Sequence, residues 1–282
     1  MGENAQDKAG TEQYRTVEAA MDRQARWTAI LEMLAGSDRL SVESAAAKLQ
    51  VSTATVRRDF DELAERQMLV RTRGGARAAS GTAYDLPLRY KSATHADEKR
   101  RIGSVAAELV PARAVVGLTG GTTTTAVARA LATREDLQAD RGAPVVTVVT
   151  NALNIAQELI VHPNVKLVTT GGVARPQSYE LVGPLAKPVL LELALDYAIV
   201  GVAAISASRG ASTDNEAEAE VNRLLAERAA HVVVVADATK LGRDAFARIC
   251  GIERVETLVT DATASEALVE PFVSAGVRVI RA

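Results

Sequence analysis

VSTATVRRDFDEL, residues 51–63, sets two arginines side by side behind a serine and two threonines. Val56, Phe60 and Leu63 recur at i, i+4 and i+7, which is one face of a helix. Ser52 stands where an N-cap belongs. With those three turned inward, Thr53, Thr55, Arg57 and Arg58 cannot all turn inward as well, and several lie forward. Hydroxyls bond phosphates or bases, and the arginine fork matches guanine O6 and N7. A helix N-terminus itself favours phosphate. A helix of this kind enters a DNA major groove with its first residues against base edges. Asp59, beside the arginines, is placed to position an arginine by pairing with it. The same residue types also make an ordinary solvated helix face, so the surroundings decide.

Those surroundings favour DNA. Trp27, Ile30, Leu31 and Leu34 fall on one helical face and predict a helix from Arg26 to Ala35, ended by Gly36 and Ser37. Ser41 caps a second helix to Leu49, with Val42, Ala45, Ala46 and Leu49 inward. Gln50 and Val51 make a tight turn before the third helix. MLVRTRGGARAA, residues 68–79, has two strand-like arms around Gly74 and Gly75 and reads as a β-hairpin. Three small helices and a hairpin make a winged helix-turn-helix. Its candidate DNA contacts are Ser52, Thr53, Thr55, Arg57 and Arg58, with Arg71 and Arg73 on the hairpin. Charge agrees. Residues 1–22 carry two basic and five acidic side chains, residues 23–80 ten and seven, and residues 81–282 twenty-one and twenty-three. Only the middle piece is net positive, and Arg66, Arg71, Arg73 and Arg77 have no acidic residue among them.

Residues 26–77 resemble the N-terminal domain of the DeoR family of bacterial transcriptional regulators. The resemblance lies in Arg26, Ile30 and Leu34, in Ser52, Thr55, Val56, Arg57, Arg58, Asp59 and Phe60, and in the wing Arg71-Thr72-Arg73-Gly74-Gly75-Ala76. Arg73 stands where histidine is common in the family, which keeps a donor and makes the wing more basic.

Beyond residue 97 the pattern changes to short apolar strands alternating with helices: AVVGL (114–118), VVTVV (145–149), VKLVTT (165–170), YAIVG (197–201), HVVVVA (231–236), TLVT (257–260) and VRVI (277–280). This predicts an α/β domain with a mostly parallel sheet wrapped on both faces. The expected organisation is a disordered tail over 1–22, the winged unit over 23–78, a linker over 79–96 and the α/β domain over 97–282.

Ligands of open parallel sheets sit beyond the carboxyl ends of the strands. Small, polar and charged residues gather at four of these ends. Gly120 and Gly121 open the helix that carries Thr122, Thr123, Thr124 and Thr125. Glycines let backbone N–H groups approach an anion, hydroxyls add donors, and the helix N-terminus adds partial charge. The loop reads equally as a phosphate cradle or as a tight βα turn that merely caps the helix. It is neither a Walker A loop nor a dinucleotide fingerprint, and no cofactor is expected. Asn151 follows the next strand, Gly171 and Gly172 with Arg175 the one after, and Asp237 to Lys240 follow HVVVVA. Lys240 suits a phosphate, and Asp237 and Asn151 suit sugar hydroxyls. The alternatives are that Asn151 caps a helix and that Asp237 to Lys240 form a plain turn.

The same stretches, over about residues 97–261, resemble the effector domain of the DeoR family, related in fold to ribose-5-phosphate isomerase and CoA transferases. The resemblance implies a phosphorylated sugar as ligand, held by Gly120, Gly121, Thr122, Thr123, Thr124, Asn151, Gly172, Arg175, Asp237 and Lys240. It also implies a regulator, most often a repressor. In place of the acidic residue common ahead of the loop, this chain has no carboxylate between Ala114 and Thr125. Operator palindromy goes with protein symmetry, so a homo-oligomer is expected. The rival is a sugar-phosphate isomerase-like enzyme fused to a DNA-binding module, with Asp237, Glu180 or Glu216 as general base and Lys240 polarising a carbonyl. A CoA-transferase nucleophile would be Glu180 or Glu216.

Other features narrow the class. The formal charge is -2 and aromatic residues are 3%, so the core is aliphatic. Cys250 is alone, which excludes an intrachain disulfide. His95, His162 and His231 are scattered, so no metal site is expected. No apolar run approaches the roughly 20 residues of a membrane span, and the N-terminus has no apolar h-region. The expected location is the cytoplasm.

Overall fold

The computed structural model describes residues 22–35, 39–66, 68–78, 88, 95–137 and 144–282. The chain divides into two compact units, the first ending at Ala83 and the second starting at Tyr84. The tail expected over 1–22, Asp22 apart, lies outside the described residues, as do Gly36, Ser37 and most of the linker expected over 79–96.

In the first unit, α1 (Arg23–Ala35) leads to a short strand β1 (Arg39–Ser41), then to α2 (Val42–Leu49) and α3 (Thr53–Glu65). Both expected caps are made. Ser41 Oγ accepts the Ser44 N–H at 3.0 Å, and Ser52 Oγ accepts the Thr55 N–H at 3.1 Å. Val56, Phe60 and Leu63 are buried, as their spacing predicts, and so is Asp59. Its carboxylate accepts Arg26 Nε at 2.5 Å, Arg26 Nη2 at 3.0 Å and Trp27 Nε1 at 2.8 Å. The arginine that Asp59 positions is therefore Arg26 of α1, not either of its sequence neighbours. A helix turns about 100° per residue, so Arg57 and Arg58 leave on one side while Asp59 and Phe60 enter the core.

The hairpin is formed by β2 (Leu69–Thr72) and β3 (Gly75–Ala78), with Gly74 in the turn at φ +81°. β1 adds a third strand, in the order β1-β3-β2. The sequence does not announce it, because three residues are too few for a period-two pattern. The register sets Arg39 directly opposite Arg77.

The second unit opens with α4 (Ala96–Glu108) and runs β4 (Val115–Leu118), α5 (Thr122–Thr133), β5 (Val146–Thr150), α6 (Leu153–Leu159) and β6 (Val165–Thr169). A small hairpin of β7 (Val173–Ala174) and β8 (Leu181–Val182) follows, then α7 (Lys187–Leu191) and β9 (Leu195–Gly201). Next come β10 (Ala204–Ser206), β11 (Gly210–Thr213), α8 (Glu216–Arg228), β12 (Ala229–Val235) and β13 (Ala247–Cys250). The last elements are β14 (Thr257–Thr260), α9 (Glu266–Ser274) and β15 (Arg278–Arg281).

Seven strands pair in the order β15-β14-β12-β9-β4-β5-β6, every pairing parallel. This is the sheet that the apolar runs predict. Its side chains alternate between two aliphatic cores. Ala198, Val200, Val232 and Val234 meet Leu225 of α8 and Phe272 of α9. Ile199, Val233 and Val235 meet Ile102 of α4, Leu131 of α5 and Ile155 of α6. Three short strands, β10, β11 and β13, pair antiparallel in a separate sheet that the sequence pattern does not reveal.

Removing one partner of a buried ion pair costs about 3 kcal/mol. Asp59→Ala should destabilise the first unit by that order. Trp27 is the single tryptophan, so urea unfolding followed by its fluorescence reads this unit alone. A loss below about 1 kcal/mol would show that the Asp59 contacts do not hold α1 to α3.

Candidate functional site

Capping and burial fix which side of α3 is available. Ser52 and Thr55 are tied to one another, their hydroxyl oxygens 2.8 Å apart. Thr53, Arg57 and Arg58 are exposed, and among the described residues their side chains have no partner. The two hairpin arginines differ. Arg73 stands exposed in the turn without a partner. Arg71 is committed to the fold: its Nε meets Asp61 Oδ1 at 2.8 Å, its Nη1 donates to the Gly75 carbonyl at 3.0 Å, and its guanidinium lies over the Phe60 ring. Arg66 is committed too, stacked with Arg23 on Trp27 at 4.7 and 4.8 Å. Free donors among the described residues thus stand at the start of α3 and at the hairpin turn, with Arg77 on β3 and Lys48 at the end of α2 also exposed and unpartnered.

In the second unit the chain starts its sheet at β4 and steps outward to β5 and β6. It then returns to β9 on the other side of β4 and continues to β12, β14 and β15. The connections after β4 and β9 therefore leave in opposite directions, so this is the switch point at whose carboxyl ends the ligand crevice of an open sheet lies. Thr119 and Gly201 stand there, the Gly201 N–H donating to Thr119 Oγ1 at 2.9 Å. Gly120 and Gly121 follow, and α5 starts at Thr122 with Gly121 at the N-cap and no side-chain cap. The first N–H groups of α5 thus have neither an intrahelical nor a side-chain acceptor. The threonine hydroxyls are not all donors to the crevice, as the sequence suggests. Thr124 Oγ1 and Thr125 Oγ1 both donate to the Gly121 carbonyl, at 3.0 and 2.6 Å. Thr122 and Thr123 have no such bond among the described residues.

Asn151 does not cap α6. It is fully buried, and its Nδ2 donates to Glu180 Oε2 at 2.9 Å and to Asn222 Oδ1 at 3.2 Å. Its own Oδ1 is buried with no hydrogen-bond partner. Glu180 lies on the β7–β8 hairpin, beside the glycine loop, where a Cβ at Gly120 would collide with its carboxyl. Arg175, on the same hairpin, reaches Glu218 of α8 at 3.5 Å, and Thr213 Oγ1 donates to Glu218 Oε2 at 3.3 Å. Burial, aided by the neighbouring charge of Glu218, pushes the Glu180 carboxyl up to about 8, against the pull of Asn151, Asn222 and Arg175. Glu218 and Asn222 carry no motif, so the sequence does not disclose them. Glu180 stands out there only as a possible base or nucleophile.

Gly120, Asn151 and Arg175 are thus brought together around Glu180, with Gly121, Thr122, Thr123 and Thr124 on the adjoining loop. Gly172 closes the base of the hairpin. Asp237 and Lys240 are not part of this cluster. They follow β12, two strands from β4, and no hydrogen bond or ion pair among the described residues joins them to Glu180. Asp237 caps its own turn, its Oδ1 accepting the Thr239 N–H at 3.1 Å and the Thr239 hydroxyl. Asp261 Oδ2 accepts the Ala238 N–H at 2.7 Å and pins the same turn from β14. Lys240 is half-buried and without a partner among the described residues. Among the described residues no three His, Cys, Asp or Glu side chains are grouped to hold a metal, and no helix is long and apolar enough to cross a membrane.

The raised Glu180 sets a pH dependence. Between its ordinary value of 4.5 and about 8 the folded chain keeps a proton that the unfolded chain has released. This contribution to stability is complete below 4.5 and is lost as pH rises through 8. Glu180→Gln cannot lose that proton. Its melting temperature relative to wild type should rise from pH 5 to pH 9. Parallel curves for the two proteins would sink the assignment.

Residues 26–82 match the DeoR-like helix-turn-helix domain, and residues 94–262 match the DeoR C terminal sensor domain. The chain is 35% identical over 252 residues to the HTH-type transcriptional regulator GlpR of Haloferax volcanii, covering 89% of this chain and 94% of that protein. It is 30% identical over 242 residues to the glycerol-3-phosphate regulon repressor of Escherichia coli K12, covering 86% and 92%. Among solved structures, ribose 5-phosphate isomerase A from Methanocaldococcus jannaschii aligns over 52% of this chain and 55% of that one, at 19% identity and a TM-score of 0.39. That likeness is too weak to bear on fold or function.

Proposed function

The chain belongs to the DeoR family of transcriptional regulators, and we propose that it is a repressor whose grip on operator DNA is set by a phosphorylated sugar or polyol. The observation that carries the effector half is the uncapped N-terminus of α5, opening beside Gly120 and Gly121 onto the β4–β9 crevice. Unsatisfied N–H groups and the helix dipole favour a phosphate there. Asn151 and Glu180 offer acceptors to hydroxyls of the same ligand, and Arg175 offers a donor. Lys240, on a turn pinned by Asp261, supplies a further positive charge from β12. The E. coli relative is named for glycerol-3-phosphate, which supports a small phosphorylated ligand.

On the DNA side, Thr53, Arg57 and Arg58 make base and phosphate contacts from α3 while Arg73 meets the backbone from the hairpin. Ser52 acts by capping α3, and Thr55 through Ser52. Arg71 acts by holding the hairpin to α3. The protein works as a homo-oligomer on a palindromic site, since operator dyads match protein symmetry. Its place is then the cytoplasm, with the DNA. The effector shifts the equilibrium only as far as it prefers one DNA-binding state over the other.

One observation favours a second reading, an isomerase-like enzyme. Burial raises the proton affinity of Glu180 toward neutrality, which suits a carboxyl that exchanges a proton with a ligand. We propose binding without turnover, because Lys240 and Glu180 are not joined.

The test is fluorescence anisotropy of the protein on its own upstream DNA at fixed salt, titrated with glycerol 3-phosphate and a panel of sugar phosphates. One compound should release or tighten a specific complex and remain chemically unchanged; consumption of that compound would establish the enzyme instead. Arg57→Ala should weaken specific binding by about 1–3 kcal/mol, and unchanged affinity would remove Arg57 from the base contacts. Lys240→Ala should bind DNA normally and lose the response to the compound. A wild-type response would place Lys240 outside the site.

A further inference from the structure

The β7–β8 hairpin, residues 173–182, is bounded by backbone positions that turn freely. Gly171 and Gly172 precede it at φ +75° and +129°, and Gly183 follows it at +89°. Only two residue pairs form its ladder, Val173 with Val182 and Ala174 with Leu181. Apolar burial holds it little, since Val173 is 64% exposed. Polar contacts hold it instead. The Leu181 N–H donates to the Asn151 carbonyl at 2.6 Å, and the Leu153 N–H to the Tyr179 carbonyl at 2.9 Å. Glu180 takes the Asn151 amide, and Arg175 meets Glu218. Half of these anchors are side chains of the polar cluster beside the glycine loop. A ligand that engages Asn151 or Glu180 therefore competes with what keeps the hairpin in place.

The other side of the hairpin meets a different part of the chain. The Gln177 carbonyl accepts the Leu88 N–H at 2.9 Å, and Leu88 is buried to 8% exposure. Leu88 is the fifth residue of the second unit, on the stretch of chain that continues from the DNA-binding unit. We propose that the hairpin is a strap that reports occupancy of the crevice to Leu88. When Glu180 and Arg175 are drawn to a ligand, the strap shifts on its glycines and the Gln177–Leu88 bond is released, changing the restraint on the chain that leads to the DNA-binding unit. This deepens the reading of the crevice as the effector site. An element that both sites bias is the physical requirement for such coupling.

The test needs no ligand. Hydrogen exchange is measured on full-length wild type, Glu180→Ala and Glu180→Gln, following the amides of Leu88 and Leu181, with Val116 and Val148 in the sheet as references. Glu180→Ala removes an anchor of the strap. Exchange at Leu88 and Leu181 should accelerate by about tenfold or more, as for loss of one buried hydrogen bond, while Val116 and Val148 stay unchanged. Glu180→Gln keeps a partner for Asn151 and should remain near wild type. An accelerated Leu181 with an unchanged Leu88 overturns the coupling. So does an unchanged Leu181, which would mean that Glu180 does not hold the strap. Equal acceleration at all four amides would mean general loosening and overturn it as well. If Leu88 responds but no sugar phosphate alters DNA binding, the strap stands and the ligand class is wrong.

Discussion

A parallel sheet covered on both faces leaves one kind of place for polar chemistry. The central strands bury aliphatic side chains above and below, so the sheet's buried carboxylates, Asp237 and Asp261, stand just past strand ends. The chain then makes the place specific by starting at β4, moving to one side, and coming back on the other. The β4–β9 parting, where Thr119 and Gly201 stand, is a consequence of that winding order. The uncapped start of α5, the buried carboxyl of Glu180 and the pinned turn at Asp237 are all arranged around strand ends that this topology puts side by side.

The DNA-binding unit rests on a different constraint, a carboxylate taken out of water. Burying Asp59 is costly unless its oxygens are satisfied, and Arg26 and Trp27 satisfy them. The Arg57-Arg58-Asp59 triplet thereby divides into two functions. Two arginines stay outside and unpaired, and the aspartate anchors their helix to α1 from within. The hairpin repeats this division on a smaller scale. Arg71 is bonded to Asp61 and Gly75, which leaves Arg73 at the turn with nothing else to meet.

Local sequence carries much of this. The caps at Ser41 and Ser52, the Val56-Phe60-Leu63 face and the seven apolar strands are legible because each depends on residues a few positions apart. The glycine–threonine loop is visible for the same reason, although nothing in TGGTTTT tells that Thr124 and Thr125 turn back to the Gly121 carbonyl. What is illegible depends on pairing at a distance. β1, β10, β11 and β13 are too short to show a period. Asn151, Glu180 and the α8 pair Glu218 and Asn222 are separated from one another by dozens of residues, so the polar cluster exists only once β5, the hairpin and α8 are folded together. Asp59 shows the same limit: its neighbours suggest a partner, and the true partner is a helix away.

The register of the small sheet has a consequence of its own. Arg39 and Arg77 stand opposite one another across β1 and β3, and like charges in that position raise the free energy of a sheet. A polyanion lying against that face would lower that cost, and dissolved salt would lower it too by screening. Salt would also weaken any grip on DNA by competing for phosphates, so ionic strength would act on the free sheet and on a complex in opposite senses.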